Sequence, residues 1–257
     1  MCILFIAVKQ HPNYPLIIAA NRDEFYQRPT SESHFWEKCP DLLAGQDLEA
    51  GGTWMGVTKG GFISALTNIR APHLNRDDAD SRGRLVLDYL SQPQLRPDYV
   101  QRLHQQRHHY NGYNLLFGRW NDLAVYNNHE DSLQFLSPGF YGLSNANLNS
   151  PWPKINKGVQ ALKTYCQQQQ YVDSESLLAL LRNEEKAADH LLPQTGIPEQ
   201  WEKQLSSIFI QSEGYGTRTS TLFWVDTQGD AMWHERTFNP QGQITGNKTE
   251  HLLQFVQ

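Results

Sequence analysis

The feature that most constrains this chain is that its apolar runs come in neighbouring pairs joined by short polar turns. Residues 3–8 and 16–20 are almost wholly aliphatic and flank His11-Pro12-Asn13. Strands separated by so few residues return antiparallel, because a parallel partner needs a crossover of a dozen residues or more. The pattern recurs at 53–58 and 62–67 around Lys59-Gly60-Gly61, at 113–117 and 123–126, and at 220–226 and 231–237 around Thr227-Gln228-Gly229. Residues 206–211 read as one more strand.

Helical spacing is confined to other blocks. Leu85, Leu87 and Leu90, then Tyr99, Val100 and Leu103, predict two helices broken at Pro93 and Pro97. Val159, Leu162 and Tyr165 predict a longer helix after Pro151 and Pro153, and 174–181 another. Hairpins and helices in separate blocks indicate an α+β fold of antiparallel sheets covered by helices, rather than βαβ units. With 39% hydrophobic residues, no linker, and no low-complexity run longer than 167–170, residues 1–257 read as one domain.

Charge and cysteine usage exclude several classes. A formal charge of −5 with scattered Lys and Arg argues against nucleic-acid binding. The apolar run at 3–8 is far short of the ~20 residues that span a bilayer, and no basic residue precedes it as in a secretory signal. No integral membrane segment is expected. Three cysteines at no metal-ligand spacing disfavour a disulfide framework and point to a reducing, cytoplasmic setting.

The candidate chemistry starts at Cys2. The first hairpin ends in Asn21-Arg22-Asp23-Glu24, and antiparallel pairing brings these polar residues back towards the start of strand one. Removal of Met1 would give Cys2 a free α-amine of pKa about 7.7–8.0, able to serve as a base, while a neighbouring Arg favours thiolate. The competing reading is a small buried cysteine beside a solvated turn.

Met1-Cys2, Asn21-Arg22-Asp23-Glu24, Gly51-Gly52-Thr53-Trp54-Met55-Gly56, Thr67-Asn68-Ile69-Arg70, Gly142-Leu143-Ser144-Asn145 and the stretch from Tyr215 to Thr221 together resemble the NRDE family, also called the transport and Golgi organisation 2 family. That family is similar in turn to N-terminal nucleophile hydrolases, above all the cysteine acylases that cleave bile-salt and penicillin amides. The resemblance implies a four-layer αββα sandwich. It also implies a site in which Cys2 attacks a carbonyl, Arg22 and Asp23 tune the thiol and hold the α-amine, Asn68 or Asn145 lends an oxyanion donor, and Arg218 completes the set. Arg22 and Asp23 are adjacent here, a departure from the acylase spacing. Each Asn also reads as an ordinary turn-former, and Trp54 as core or cleft wall.

Two weaker motifs remain. His104 and His108 are four apart on a predicted helix, the spacing of two metal ligands, but no third ligand is identifiable and no metal is expected. Cys39-Pro40 resembles pairs through which haem-sensing proteins ligate iron. Two functions stand: a cysteine amidohydrolase, thioesterase or acyltransferase for a small acyl substrate, needing no cofactor, or a non-catalytic carrier of haem or acyl-coenzyme A in the same cleft.

Overall fold

The computed structural model describes residues 2–92, 96–252 and 255. Its strands are β1 (Cys2–Val8), β2 (Leu16–Phe25), β3 (Thr30–Trp36), β4 (Cys39–Asp47), β5 (Met55–Thr58), β6 (Phe62–Asn68), β7 (Tyr113–Arg119), β8 (Asp122–Asn127), β9 (Ser132–Phe135), β10 (Gly139–Leu143), β11 (Gln211–Ser212), β12 (Tyr215–Val225), β13 (Ala231–Phe238) and β14 (Ile244–Leu252). The helices are α1 (Gly83–Ser91), α2 (Arg96–Gln106), α3 (Pro153–Gln168), α4 (Ser174–Leu181) and α5 (Glu199–Gln204).

One antiparallel sheet runs β10-β1-β2-β12-β13-β14, with β11 on β12; the other follows chain order from β3 to β9. The period-2 alternation of β1 shows how they stack. Cys2, Leu4 and Ile6 point into a core shared with Leu43, Met55, Val57, Ile63 and Ala65 of the second sheet, whereas Ile3, Phe5 and Ala7 meet Ile155 and Leu162 of α3 and Leu177 and Leu181 of α4. On the far side, α1 and α2 lay Leu85, Tyr89, Leu90, Tyr99 and Leu103 against Leu66, Leu115 and Phe117. The result is the αββα sandwich that the family resemblance implies, and it agrees with the antiparallel α+β pattern of the sequence. No helix among the described residues is long and apolar enough to cross a membrane.

Two local expectations fail for identifiable reasons. Pro97 does not break a helix: it is the second residue of α2, where the missing N–H has no intrahelical partner to lose. Pro93 lies outside the described residues. The apolar run at 206–211 is irregular apart from its last residue, and its backbone is engaged elsewhere. Ile208 O accepts from Asn21 Nδ2, Phe209 N–H donates to Asn183 O, and Ile210 N–H donates to Thr217 Oγ1.

Candidate functional site

Hairpin register builds the site. Cys2 pairs with Arg22, and directly opposed residues of an antiparallel pair share a face. The Arg22 side chain therefore lies on the inter-sheet side with the Cys2 thiol, while Asn21 and Asp23 turn to the helix side. Asn21 Nδ2 caps the end of α4 through Leu181 O at 2.9 Å, and Asp23 Oδ1 accepts from Thr217 Oγ1 at 2.7 Å. Strand alternation thus gives the adjacent Arg22 and Asp23 different surroundings.

Cys2, Arg22, Asp23, Glu24, Trp54 and Asn68 line a cavity of about 340 Å³ between the sheets' ends, near the lower limit for small-molecule sites. Arg28 and Asp47 form one wall, and Arg76, Asp80 and Arg82 another. The Arg22 guanidinium sits 4.3 Å from the centroid of the Trp54 ring, donates to Thr30 Oγ1 at 3.2 Å, and lies 3.8 Å from Glu24 and 3.9 Å from Asp47. Trp54 is cleft wall. Below the thiol, Leu4, Ala20, Met55, Ala65 and Leu66 close a crevice of about 10 Å³, room for roughly one water. A bound group must extend along the larger cavity.

The asparagines flank Cys2 unequally. Asn68 lines the cavity. Asn145 is buried behind it, its Nδ2 donating to Asn68 O at 2.9 Å and its Oδ1 accepting from Ser144 Oγ, which also donates to Cys2 O at 3.3 Å. Arg218 is not brought to the cavity. It occupies a bulge where the β2–β12 register slips between Thr217 and Thr219, and its Nη1 donates to the carbonyls of Phe25, Tyr26 and Arg28. It holds the loop that presents Arg28.

The electrostatics differ from the sequence expectation at the thiol. Burial pushes the Cys2 thiol above its ordinary value and Asp23 acts in the same direction; the N-terminal charge and, less strongly, Arg22 oppose but do not prevail. Cys2 is only 8% exposed, so the thiol is not ionised in advance and needs a base. Burial likewise raises the Asp23 carboxyl, against the pull of the N-terminal charge first, then of Lys154 and the Thr217 hydrogen bond.

Arg28, Asp47, Arg82 and Lys154 were absent from the sequence reading. Asp47 Oδ2 holds Arg28 Nε at 2.7 Å, while its Oδ1 caps the turn through the N–H groups of Glu49 and Ala50. An Asp before a Gly-Gly turn signals a turn, not a site; only tertiary contact places it. The two weaker motifs lie elsewhere. His104 Nδ1 sits 2.6 Å from Asp131, which also takes Arg107 and Tyr126. No cluster of three metal-ligating side chains exists among the described residues. Cys39 lies in a separate cavity of about 420 Å³, with Pro40, Phe62 and Leu90.

The transport and Golgi organisation 2 family model matches residues 1–240. The chain belongs to the transport and Golgi organisation 2 family. It is 36% identical to the transport and Golgi organization protein 2 homolog of Bos taurus, over 98% of both chains. With the Drosophila melanogaster transport and Golgi organization protein 2 it shares 30% identity over 97% of this chain and 96% of that one. A solved C2A mutant of the conjugated bile acid hydrolase from Clostridium perfringens superimposes with a TM-score of 0.54 at 9% identity, covering 98% of this chain and 96% of that one. This family member therefore has the N-terminal nucleophile hydrolase fold.

Proposed function

We propose that this chain is a cysteine amidohydrolase, thioesterase or acyltransferase that works through an acyl-enzyme on Cys2. One observation carries the reading: Cys2, at the start of β1, opens onto the floor of the 340 Å³ cavity with Arg22 directly across the ladder. The similar bile acid hydrolase was solved with its position-2 cysteine changed to alanine, and cysteine stands at position 2 here.

Because burial holds the thiol neutral, the base is the α-amine that Met1 removal exposes. That amine takes the Sγ proton as Sγ–C bond formation opens the substrate carbonyl, and an N–H of Asn68, which Asn145 braces from behind, receives the oxyanion. The ammonium then protonates the departing amine or thiol as its bond to carbon breaks. Water, deprotonated by the same amine, cleaves the thioester to release the acid and restore the thiol. Asp23 orients the amine, and Arg218 acts through the loop carrying Arg28.

The test combines intact mass with a panel of amide and thioester substrates. Met1 should be lost, and Cys2→Ser and Cys2→Ala should abolish acyl release while leaving Tm nearly unchanged, since the lost group acts in the transition state. Saturable stabilisation by haem or long-chain acyl-coenzyme A in wild type and Cys2→Ala alike, with no turnover on the panel, would replace this reading with a carrier.

A further inference from the structure

Four guanidinium groups line the cavity onto which Cys2 opens, those of Arg22, Arg28, Arg76 and Arg82. Three are met by acids. Arg28 holds Asp47 at 2.7 Å and Glu49 at 3.1 Å. Arg22 lies 3.8 Å from Glu24 and 3.9 Å from Asp47, with the Trp54 ring across its face. Arg76, out on the rim, is 3.5 Å from Asp78. Arg82 is the exception. Among the described residues no carboxylate pairs with it, and its one hydrogen bond runs from Nη1 to Gly112 O at 3.0 Å. The remaining acids of the outer wall, Asp77 and Asp80, are exposed, where water and salt screen them.

An unmatched charge is costly at this position. Arg82 immediately precedes α1, whose first turn holds no acidic residue, so the cation stands at the positive end of a helix dipole. Burial also acts against the charge, and the pull of Glu24 does not offset it. The backbone is fixed in place: Arg82 O accepts from Leu85 N–H at 3.0 Å, and the neighbouring Gly83 O accepts from Thr53 N–H at 3.2 Å. With Nη1 committed to Gly112, the guanidinium keeps the edge formed by Nε–H and Nη2–H, which make no hydrogen bond among the described residues. Two parallel donors on one edge match the two oxygens of a single carboxylate.

We propose that Arg82 is a specificity-determining residue: it holds a carboxylate of the substrate, so that the acyl compound taken by Cys2 is an anion whose carboxylate lies in the same cavity as the bond to be cleaved. This deepens the reading of Cys2 given above and rests on it. One unmatched cation calls for one negative charge, which favours a carboxylate over a phosphate dianion.

A matched pair of alkylating reagents tests this without a substrate. Iodoacetate and iodoacetamide each form an Sγ–C bond with loss of iodide and of the thiol proton, and they differ only in carrying a carboxylate or a neutral amide. The ratio of their rates cancels the thiolate fraction. At Cys2, resolved from Cys39 and Cys166 by peptide mapping, the iodoacetate-to-iodoacetamide ratio should exceed that of free cysteine by about tenfold or more. It should fall towards the free-cysteine value in Arg82→Met and recover in part in Arg82→Lys, which restores charge without the paired edge. Acetate should protect Cys2 from iodoacetate better than phosphate at equal concentration. A wild-type ratio no higher than that of free cysteine, a ratio unmoved in folded Arg82→Met, or better protection by phosphate overturns the proposal.

Should Arg82→Met not fold, or Cys2 resist both reagents, the contact is read in 15N-labelled wild type from the Arg82 Nε–H signal, assigned with Arg82→Lys. N-acetylglycine should shift it saturably and N-acetylglycinamide should not; no shift, or the same shift with both, overturns the proposal. No acyl release on the substrate panel, with the carboxylate preference intact, removes the acyl-enzyme reading while Arg82 stands as the carboxylate-binding residue. Acyl release with no preference between carboxylate and carboxamide substrates removes this inference alone.

Discussion

Glu235 offers a stability prediction with a distinctive sign. It lies on β13 and faces the second sheet, where Oε1 accepts from Ser33 N–H at 2.6 Å and Oε2 has no partner among the described residues. Burial pushes its carboxyl up from 4.5 to about 7, against the Ser33 hydrogen bonds. Below pH 4.5 the folded and unfolded chains both carry the proton. Between there and about 7 only the unfolded chain releases it, so the folded protein loses stability as pH rises; above 7 the loss is complete. That gap corresponds to about 3 kcal/mol. Glu235→Gln removes the titration but buries an amide N–H without a partner, a pH-independent cost of about 1–3 kcal/mol. The variant should therefore be equal to or less stable than wild type near pH 4.5. Its Tm relative to wild type should then climb with pH and level off above about 7, a total swing of about 6–12 °C at about 2–4 °C per kcal/mol for a chain of this size. Circular dichroism melts across this range read the difference directly. A Tm difference that is flat with pH, or that falls, would refute the buried neutral carboxyl.

Two other substitutions probe packing and buried charge. Gly158→Ala forces a methyl against Phe5 and should cost about 1–3 kcal/mol in urea unfolding, with partial recovery when Phe5→Leu is added; a neutral single mutant would mean that α3 does not sit so close to β1. Glu202→Gln leaves the Arg70 guanidinium buried without its counter-charge and should cost about 3–5 kcal/mol, whereas Arg70→Met with Glu202→Leu should recover most of it. Equal losses in single and double variants would show that the ion pair is not what holds α5.

The sequence was most legible where two apolar strands meet across a short turn. The β1–β2, β5–β6, β7–β8 and β12–β13 hairpins were all readable, and the first of them places Arg22 opposite Cys2. Edge strands were not: β3 and β14 carry Ser, Glu, Asn, Lys and His on half-exposed faces, so no alternation marks them. At the site, alternation along β2 could have separated Arg22 from Asp23. Arg218 is different, because a bulge re-aims its strand and no sequence period predicts a bulge. Nothing in the sequence singles out Lys154 at the start of α3, since its burial is a matter of tertiary packing that carries Nζ to Leu205 O. The thiol's environment was misjudged for a related reason: a neighbouring Arg is visible in sequence, but the desolvation that outweighs it is a property of the assembled core.

The cavity joins two kinds of chain. Its floor, Cys2 and Arg22, is locked in a hydrogen-bonded ladder, whereas much of its wall comes from the connection carrying Gly52, Thr53 and Trp54 and from the segment running from Arg76 into α1. The two wall segments meet at Gly52 and Gly83, where Thr53 N–H donates to Gly83 O and a Cβ on Gly52 would sit 2.6 Å from the Gly83 carbonyl carbon. Evolution can therefore rewrite the rim by insertion or substitution without disturbing the ladder, provided Gly52 stays small. The rim is free to diverge between related proteins while the Cys2–Arg22 floor stays fixed, and exchanging the two wall segments between members is the natural way to transplant whatever preference the rim confers.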